Sequence, residues 1–131
     1  MKTILIIILS TLSLGISAQK SVFNGTWHNS NADKNSGLAF SVHLTVKNGE
    51  VKRGTVAAIS MKEGRGENYK LESAELHGDT AIIAFSHKKY GNYKGRMIYQ
   101  ADKKAMLWVL DNFDKEQDIV PSEQTMSGKH Y

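Results

Sequence analysis

The sequence predicts an all-β fold, an eight-stranded antiparallel up-and-down barrel that follows an N-terminal signal peptide. After residue 20, helix signals are nearly absent, while short runs of alternating apolar and polar residues recur along the chain. Turn sequences rich in Gly, Asn and Asp connect these runs. Many short sequential strands suit closure into a barrel, because closure removes the exposed sheet edges that promote aggregation. A two-sheet sandwich is the alternative arrangement.

The clearest strand covers residues 38–46. Its apolar residues fall on one face, and these are Leu38, Phe40, Val42, Leu44 and Val46. Asn48-Gly49 follows, and this pair is a strong hairpin signal because both residues tolerate positive φ. Residues 51–61 are therefore expected to return as the next strand, in which Gly54 indicates a bulge or a close backbone approach.

The remaining strands are predicted from the same alternation, at residues 22–28, 69–76, 80–86, 93–100, 105–110 and 123–129. The alternation slips near Ser73-Ala74, which indicates a β-bulge. Residues 62–67 and 87–92 are polar and are expected to form flexible loops.

Residues 1–18 match the pattern of a secretory signal peptide. Lys2 precedes a short apolar run, Ile4–Ile16, and the small residue Ala18 precedes Gln19. The run is shorter than the roughly 20 residues that a spanning helix needs, although a retained anchor is the alternative. No cysteine lies at the boundary, so a lipid anchor is not expected. We therefore expect one domain, residues 19–131, that is periplasmic or extracellular and has no membrane contact after cleavage.

Composition narrows the classes of function. The chain contains no cysteine, so stability has to come from apolar burial and a closed hydrogen-bond ladder. The net charge of +4 is scattered along the sequence, whereas a nucleic-acid-binding face is usually concentrated, so no nucleic-acid partner is expected. The five histidines are dispersed, and no catalytic motif is present. We expect no metal site, no cofactor and no enzymatic activity.

The segment Gly25-Thr26-Trp27 resembles the Gly-x-Trp signature of the calycin barrels, which include lipocalins, fatty-acid-binding proteins and avidins. This resemblance implies that Trp27 plugs one end of the barrel. A large ring seals an apolar end, and the resemblance implies that Gly25 gives the backbone room to pass it.

Four segments are similar to the avidin branch of that group. They are Gly25–Asn29, which resembles its opening strand, Gly54-Thr55, part of its third strand, Leu107–Leu110, its tryptophan-bearing seventh strand, and Thr125–His130, its closing strand. Val56 and Ala58 stand where biotin-binding avidins carry a tyrosine and a serine. Each lost hydrogen bond to a buried ligand atom costs about 1–3 kcal/mol, so biotin is not the expected ligand. Of the ligand residues, the resemblance carries over Asn29 and Trp108.

Two functions are open. The first is a carrier or sensor of a small, largely apolar molecule, and its candidate binding residues are Asn29, Phe40, His43, Phe85 and Trp108. His43 lies on the polar face of its strand, so it is either a pocket donor or a solvent-facing residue. The second is an interaction module of the inhibitor or immunity type with a filled core, and its contacts would come from loops at residues 30–37, 62–67 and 87–92. Cavity volume should separate the two.

The strand Ala105–Leu110 is apolar on both faces. In a lone barrel one of these faces would meet water. Scattered apolar residues are often exposed, but a contiguous exposed patch tends to mark an interface. A homo-oligomer formed through Ala105–Leu110 is therefore one of two possibilities, and simple exposure is the other.

Overall fold

The computed structural model describes residues 21–29, 37–114 and 119–130, and these form a closed antiparallel barrel of eight strands in chain order. The strands are β1 (Gly25–His28), β2 (Leu38–Lys47), β3 (Glu50–Ser60), β4 (Arg65–His77), β5 (Thr80–His87), β6 (Gly91–Gln100), β7 (Ala105–Phe113) and β8 (Glu123–His130). The first strand pairs with the last, with Trp27 opposite Gly128, which closes the sheet and excludes the sandwich. The predicted fold class is confirmed.

The predicted signal peptide, residues 1–18, lies outside the described residues. Within the described ranges no helix has the length and apolar character needed to cross a membrane.

The barrel has two unlike ends. The turn end carries the tight connections β2–β3, β4–β5 and β6–β7, at residues 47–50, 77–80 and 100–105. The loop end carries the other four connections, at residues 28–38, 60–65, 87–91 and 113–123. At the turn end, Asn48 and Gly49 have φ angles of 55° and 76°, as the hairpin signal predicted.

Strand bounds at the loop end differ from those predicted. β4 begins at Arg65 and β6 at Gly91, so both expected loops are shorter than the sequence indicated, and β7 continues to Phe113. Polar side chains occupy these strand ends because the barrel wall extends beyond its apolar interior. At the opposite end β1 begins only at Gly25, since the preceding residues form a turn in which the Asn24 N–H donates to Ser21 O.

The structure tests the bulge predicted in β4 and the role predicted for Gly54 in β3. The β4–β5 register shifts between Leu71 and Ser73, next to the predicted slip, with Glu72 as the extra residue. At Gly54 a Cβ atom would lie 2.7 Å from both His43 O and Leu44 Cδ2. The close approach is therefore present at this glycine. The β2–β3 register also shifts, with Lys52 as the extra residue two positions before Gly54, so a bulge lies in the same part of β3.

Every second side chain of the wall points inward and packs into one apolar core. Its largest members have 2% or less of their surface exposed, and these include Trp27, Phe40, Leu44, Ile83, Phe85, Met97, Met106, Trp108 and Met126. Such values mean that these side chains border almost no space that a water molecule could enter. Among the described residues, the middle of the barrel is filled with side chains.

Candidate functional site

Three of the predicted binding residues meet in the interior. The ring of Trp108 lies 5.0 Å from that of Phe40 and 5.9 Å from that of Phe85, measured between centroids. Phe85 in turn stacks on Tyr93 at 5.0 Å. The indole N–H of Trp108 donates to Pro121 O at 2.8 Å, which ties the β7–β8 connection to the core. These rings pack against one another, and whether they also contact a ligand stays a prediction.

Asn29 lies at the end of β1 and is buried. Its Nδ2 donates to Leu38 O at 2.8 Å, and its Oδ1 accepts from the Phe40 N–H at 2.8 Å. The side chain therefore fixes the start of β2 against the end of β1. A ligand would have to compete with both of these bonds.

His43 lies on the outer face of β2, between the buried residues Val42 and Leu44. Its Nδ1 is 2.7 Å from the hydroxyl oxygen of Thr26 on the neighbouring strand. Of the two alternatives that the sequence left open, the structure has the outward-facing one. His43 is not brought together with Phe40, Phe85 and Trp108.

Trp27 is buried towards the turn end, where its indole N–H donates to Val22 O at 3.1 Å and its ring lies 6.2 Å from Tyr99. The room for the ring comes from Gly128 on the facing strand, because a Cβ there would lie 2.7 Å from two ring atoms. Gly25 has a φ of 125°, which L side chains rarely adopt. Gly25 thus permits a backbone conformation that other residues rarely adopt, and Gly128 provides space for the ring. That Gly25 also gives the backbone room to pass the ring stays a prediction.

A polar cluster at the loop end joins the two segments that the sequence offered as binding loops, residues 62–67 and 87–92. The side-chain contacts within it were not predicted. Its centre is Glu67, near the start of β4. The Arg65 Nε donates to Glu67 Oε1 at 3.0 Å, and His87 Nε2 lies 2.7 Å from Glu67 Oε2. Glu67 and His87 have side chains 20% and 17% exposed, so water reaches both only partly.

The hydrogen bonds of His87 determine its tautomer. The Lys89 N–H donates to His87 Nδ1 at 3.0 Å, so Nδ1 carries no proton. The proton is on Nε2, which donates it to Glu67. Both ring nitrogens are therefore engaged within the protein, and in this arrangement neither is available to take a proton from a substrate. The pair joins the start of β4 to the β5–β6 turn.

Tyr90 adds an aromatic surface to the cluster. The guanidinium carbon of Arg65 lies 4.5 Å from the centroid of the Tyr90 ring, and Lys89 Nζ lies 5.5 Å from it. The imidazole of His87 is 4.8 Å from the same ring. Cation–π contacts of this kind hold Arg65 and the turn in a fixed relation. We name Arg65, Glu67, His87 and Tyr90 the loop-end cluster.

The electrostatics of the cluster favour an ionised carboxylate. The hydrogen bond from Arg65 lowers the pKa of Glu67 below its ordinary value, an effect that desolvation opposes and that His87 reinforces. Arg65 and Glu67 are thus a charged pair at neutral pH.

The large apolar side chains that are most exposed in the described part of the chain lie close to this cluster or on the same end. Ile59 is 47% exposed, Met61 75% and Phe113 43%. Ile59 and Met61 flank the end of β3, and Phe113 ends β7, so all three belong to the loop end. The turn end has no comparable exposed residue among the described ones.

Two cavities among the described residues border predicted binding residues. The larger, of about 260 Å³, is lined mainly by residues of β4 to β7, and Phe85 is one of them. The smaller, of about 150 Å³, is lined by residues of β2, β3 and the end of β1, with Asn29 and Phe40 among them. Both fall below the roughly 300 Å³ at which ligand pockets usually begin. No group of three or more possible metal-binding side chains occurs among residues 21–29, 37–114 and 119–130.

Comparison with known proteins gave no match to a family model, to a curated protein or to a solved structure. The resemblance to calycin barrels therefore stays a prediction that is consistent with the strand number and order.

Proposed function

We propose that this chain is an exported, non-catalytic binding protein that contacts a protein partner through the loop end of its barrel. The observation that carries the proposal is the position of Ile59, Met61 and Phe113. Ile59 and Met61 adjoin at the end of β3, and Phe113 lies at the same end of the barrel on β7, four strands away. Exposed apolar side chains commonly mark a site of protein association, and here they are concentrated at the end that bears the longer connections.

The packing of the interior supports the interaction module over the small-molecule carrier. Phe40, Phe85 and Trp108, the rings that would line a pocket, are at most 1% exposed and contact one another. A ligand of ordinary size would need several hundred Å³, and opening that space would break these contacts. A filled barrel instead acts as a rigid support for the residues that it presents at its ends.

Site-specific photo-crosslinking tests this proposal. A photoreactive phenylalanine analogue is placed at Met61 on the loop end and, as a matched control, at the exposed Asp79 on the turn end. We expect irradiation in the native source to join position 61, but not position 79, to one protein. The adduct should disappear when Ile59→Asp is added and persist when Asp102→Ser is added on the turn end.

Equal crosslinking at both ends, or an adduct at position 61 that is indifferent to Ile59→Asp, would contradict the proposal. Recovery of the protein with a bound small molecule and no protein adduct would favour the carrier instead.

A further inference from the structure

The charged residues of the loop end are unevenly placed. The β3–β4 and β5–β6 connections, with the adjoining strand ends, carry four cationic side chains, Lys62, Arg65, Lys88 and Lys89, against two carboxylates, Glu63 and Glu67, a net charge of +2. Lys62, Lys88 and Lys89 are exposed. We name these two connections the basic side of the loop end. Asp111, at the end of β7, is paired with Arg96. The Asp114 carboxylate, however, reaches the start of β6, where its Oδ2 accepts from the Asn92 N–H at 2.8 Å, so counting it as a third carboxylate against the four cations leaves a net charge of +1 on this side.

The basic side is held in one geometry by the loop-end cluster. Glu67 is hydrogen-bonded to Arg65 of its own strand and to His87 of the next strand. One carboxylate therefore links the residue that follows the β3–β4 connection to the residue that precedes the β5–β6 connection. Arg65 also lies against Tyr90, which belongs to the second connection. A surface whose side chains are already ordered loses less entropy on binding, so this arrangement favours recognition over a mobile loop.

Cationic and apolar groups adjoin on this surface. Met61 precedes Lys62 in the β3–β4 connection, and its N–H donates to Gly37 O at 2.8 Å, which fixes its backbone. Tyr90 follows Lys88 and Lys89. The chemistry that complements such a surface is a segment with clustered carboxylates and an apolar side chain among them.

Resting on the proposed function, we infer that the basic side of the loop end recognises an acidic protein segment that contains an apolar residue. The lysines attract the carboxylates, Met61 and Tyr90 contact the apolar residue, and Glu67 is a positioning residue that orders Arg65 and His87.

The chain offers a matched pair of variants for the test. Lys88→Glu/Lys89→Glu reverses two exposed lysines on the basic side, and Lys103→Glu/Lys104→Glu reverses two exposed lysines in the β6–β7 turn at the turn end. Both variants change the net charge equally, so any difference between them reports position. Lys62→Glu, on the other connection, is a second variant in case the first does not fold.

The probe is a synthetic glutamate-rich peptide containing leucine, titrated into the full protein while backbone amide signals are followed by NMR. We expect shifts at residues 61–65 and 87–90, binding weakened about tenfold by the basic-side variant, and a change of no more than about twofold for the turn-end variant. Raising the salt from about 0.05 to 0.3 M should weaken binding by the wild type. Glu67→Gln should weaken binding although the lysines are retained.

Equal loss in the two double variants would show that only net charge acts, and would overturn the inference, as would shifts centred on the turn end or no binding at low salt. Such a result leaves the crosslink at Met61 unaffected. An absent crosslink would overturn the proposed function itself, so the two failures are distinguishable.

Discussion

At the scale of single residues, the packing of the core depends on glycines, which leave space, as well as on large side chains, which fill it. Gly95 on β6 faces the six-membered ring of Trp108, and a Cβ at this position would overlap the outer edge of that ring. The largest interior side chain of β7 thus fits because its neighbour has none. The resemblance to avidins implies that Trp108 lines the interior, but not that it needs this space.

Gly95→Ala should therefore lower the free energy of unfolding by about 1–3 kcal/mol, the usual cost of overpacking. In a Trp108→Phe background the outer ring edge is gone, so the same substitution should cost clearly less. Urea unfolding of the four proteins in this cycle measures the coupling. Identical costs in both backgrounds would show that the ring and the glycine do not interact.

Trp108→Ala tests the same residue by removal. The indole is fully buried and donates to Pro121 O, so we expect a loss of about 3–5 kcal/mol in the free energy of unfolding. Thermal and urea unfolding measure it. A variant as stable as the parent would place the ring outside the core.

Glu67 gives the loop end a predictable response to acid. Its pKa is lowered in the folded state by the hydrogen bond from Arg65, so the unfolded chain binds a proton more readily than the folded one. The stability that this group contributes is present above the usual carboxyl pKa of 4.5 and is lost as the pH falls through the lower folded value. Glu67→Gln should flatten this part of the stability–pH curve.

The measurement is urea unfolding between about pH 2 and 6, together with an NMR titration of the Glu67 carboxyl carbon. In Arg65→Gln the titration midpoint should move back towards 4.5. An unchanged midpoint in that variant would rule out Arg65 as the main cause.

At the scale of strands and turns, Gly49 in the β2–β3 hairpin allows the cost of backbone strain to be measured without a change in packing. Gly49 has a φ of 76°, and no atom lies within 4 Å of the position that its Cβ would occupy. Gly66 on β4 has no such φ and only Ile59 Cγ1 nearby, at 3.7 Å.

Gly49→Ala should therefore cost about 1–2 kcal/mol through backbone strain alone, whereas Gly66→Ala should be neutral or slightly stabilising. Thermal unfolding of both variants gives the comparison. Equal effects at the two positions would mean that the turn does not require positive φ at Gly49.

The β4 strand also explains why the sequence predicted the interior better than the loop end. Strong alternation fixed the faces of β2 and hence Phe40, while Phe85 and Trp108 lie within apolar strands. In β4, however, the bulge at Glu72 shifts the alternation by one residue. Odd-numbered residues such as Tyr69 therefore point inward before the bulge, and even-numbered residues such as Leu76 point inward after it. If the alternation that puts Leu76 inward continued without a bulge towards the loop end, Glu67 would point away from the interior.

The partners of Glu67 are a second reason. Glu67 and His87 are 20 residues apart, and their contact depends on the β4–β5 register, which the bulge sets. The sequence predicted the bulge to within two residues. Which face each residue occupies beyond the bulge, however, depends on how β4 pairs with β5, and the sequence pattern does not show this pairing. The polar strand ends were therefore assigned to loops.

At the scale of the whole molecule, the outer wall leaves one question of assembly open. Leu107 on β7 pairs with Ile98 on β6 on the outer face, and Arg96 stands between Val109 on β7 and Ile82 on β5. Arg96 Nε also donates to the two carboxylate oxygens of Asp111 at 2.8 and 3.0 Å. This patch contains the outer face of Ala105–Leu110, so a homo-oligomer through β7 stays a prediction.

Analytical ultracentrifugation over a range of concentrations tests it. We expect an oligomer for the parent and a monomer for Leu107→Glu, with Thr125→Glu on β8 as a control for added charge next to the patch. A parent that sediments as a monomer at high concentration would contradict the prediction.

Binding of a protein partner at the loop end requires that the barrel be a filled support whose binding groups lie at that end. Native mass spectrometry of the protein, purified gently from its own source, tests this most directly. We predict the mass of the bare polypeptide, or of the polypeptide with a protein partner, and no small adduct. A stoichiometric small-molecule adduct that persists through purification would contradict the account and favour a carrier.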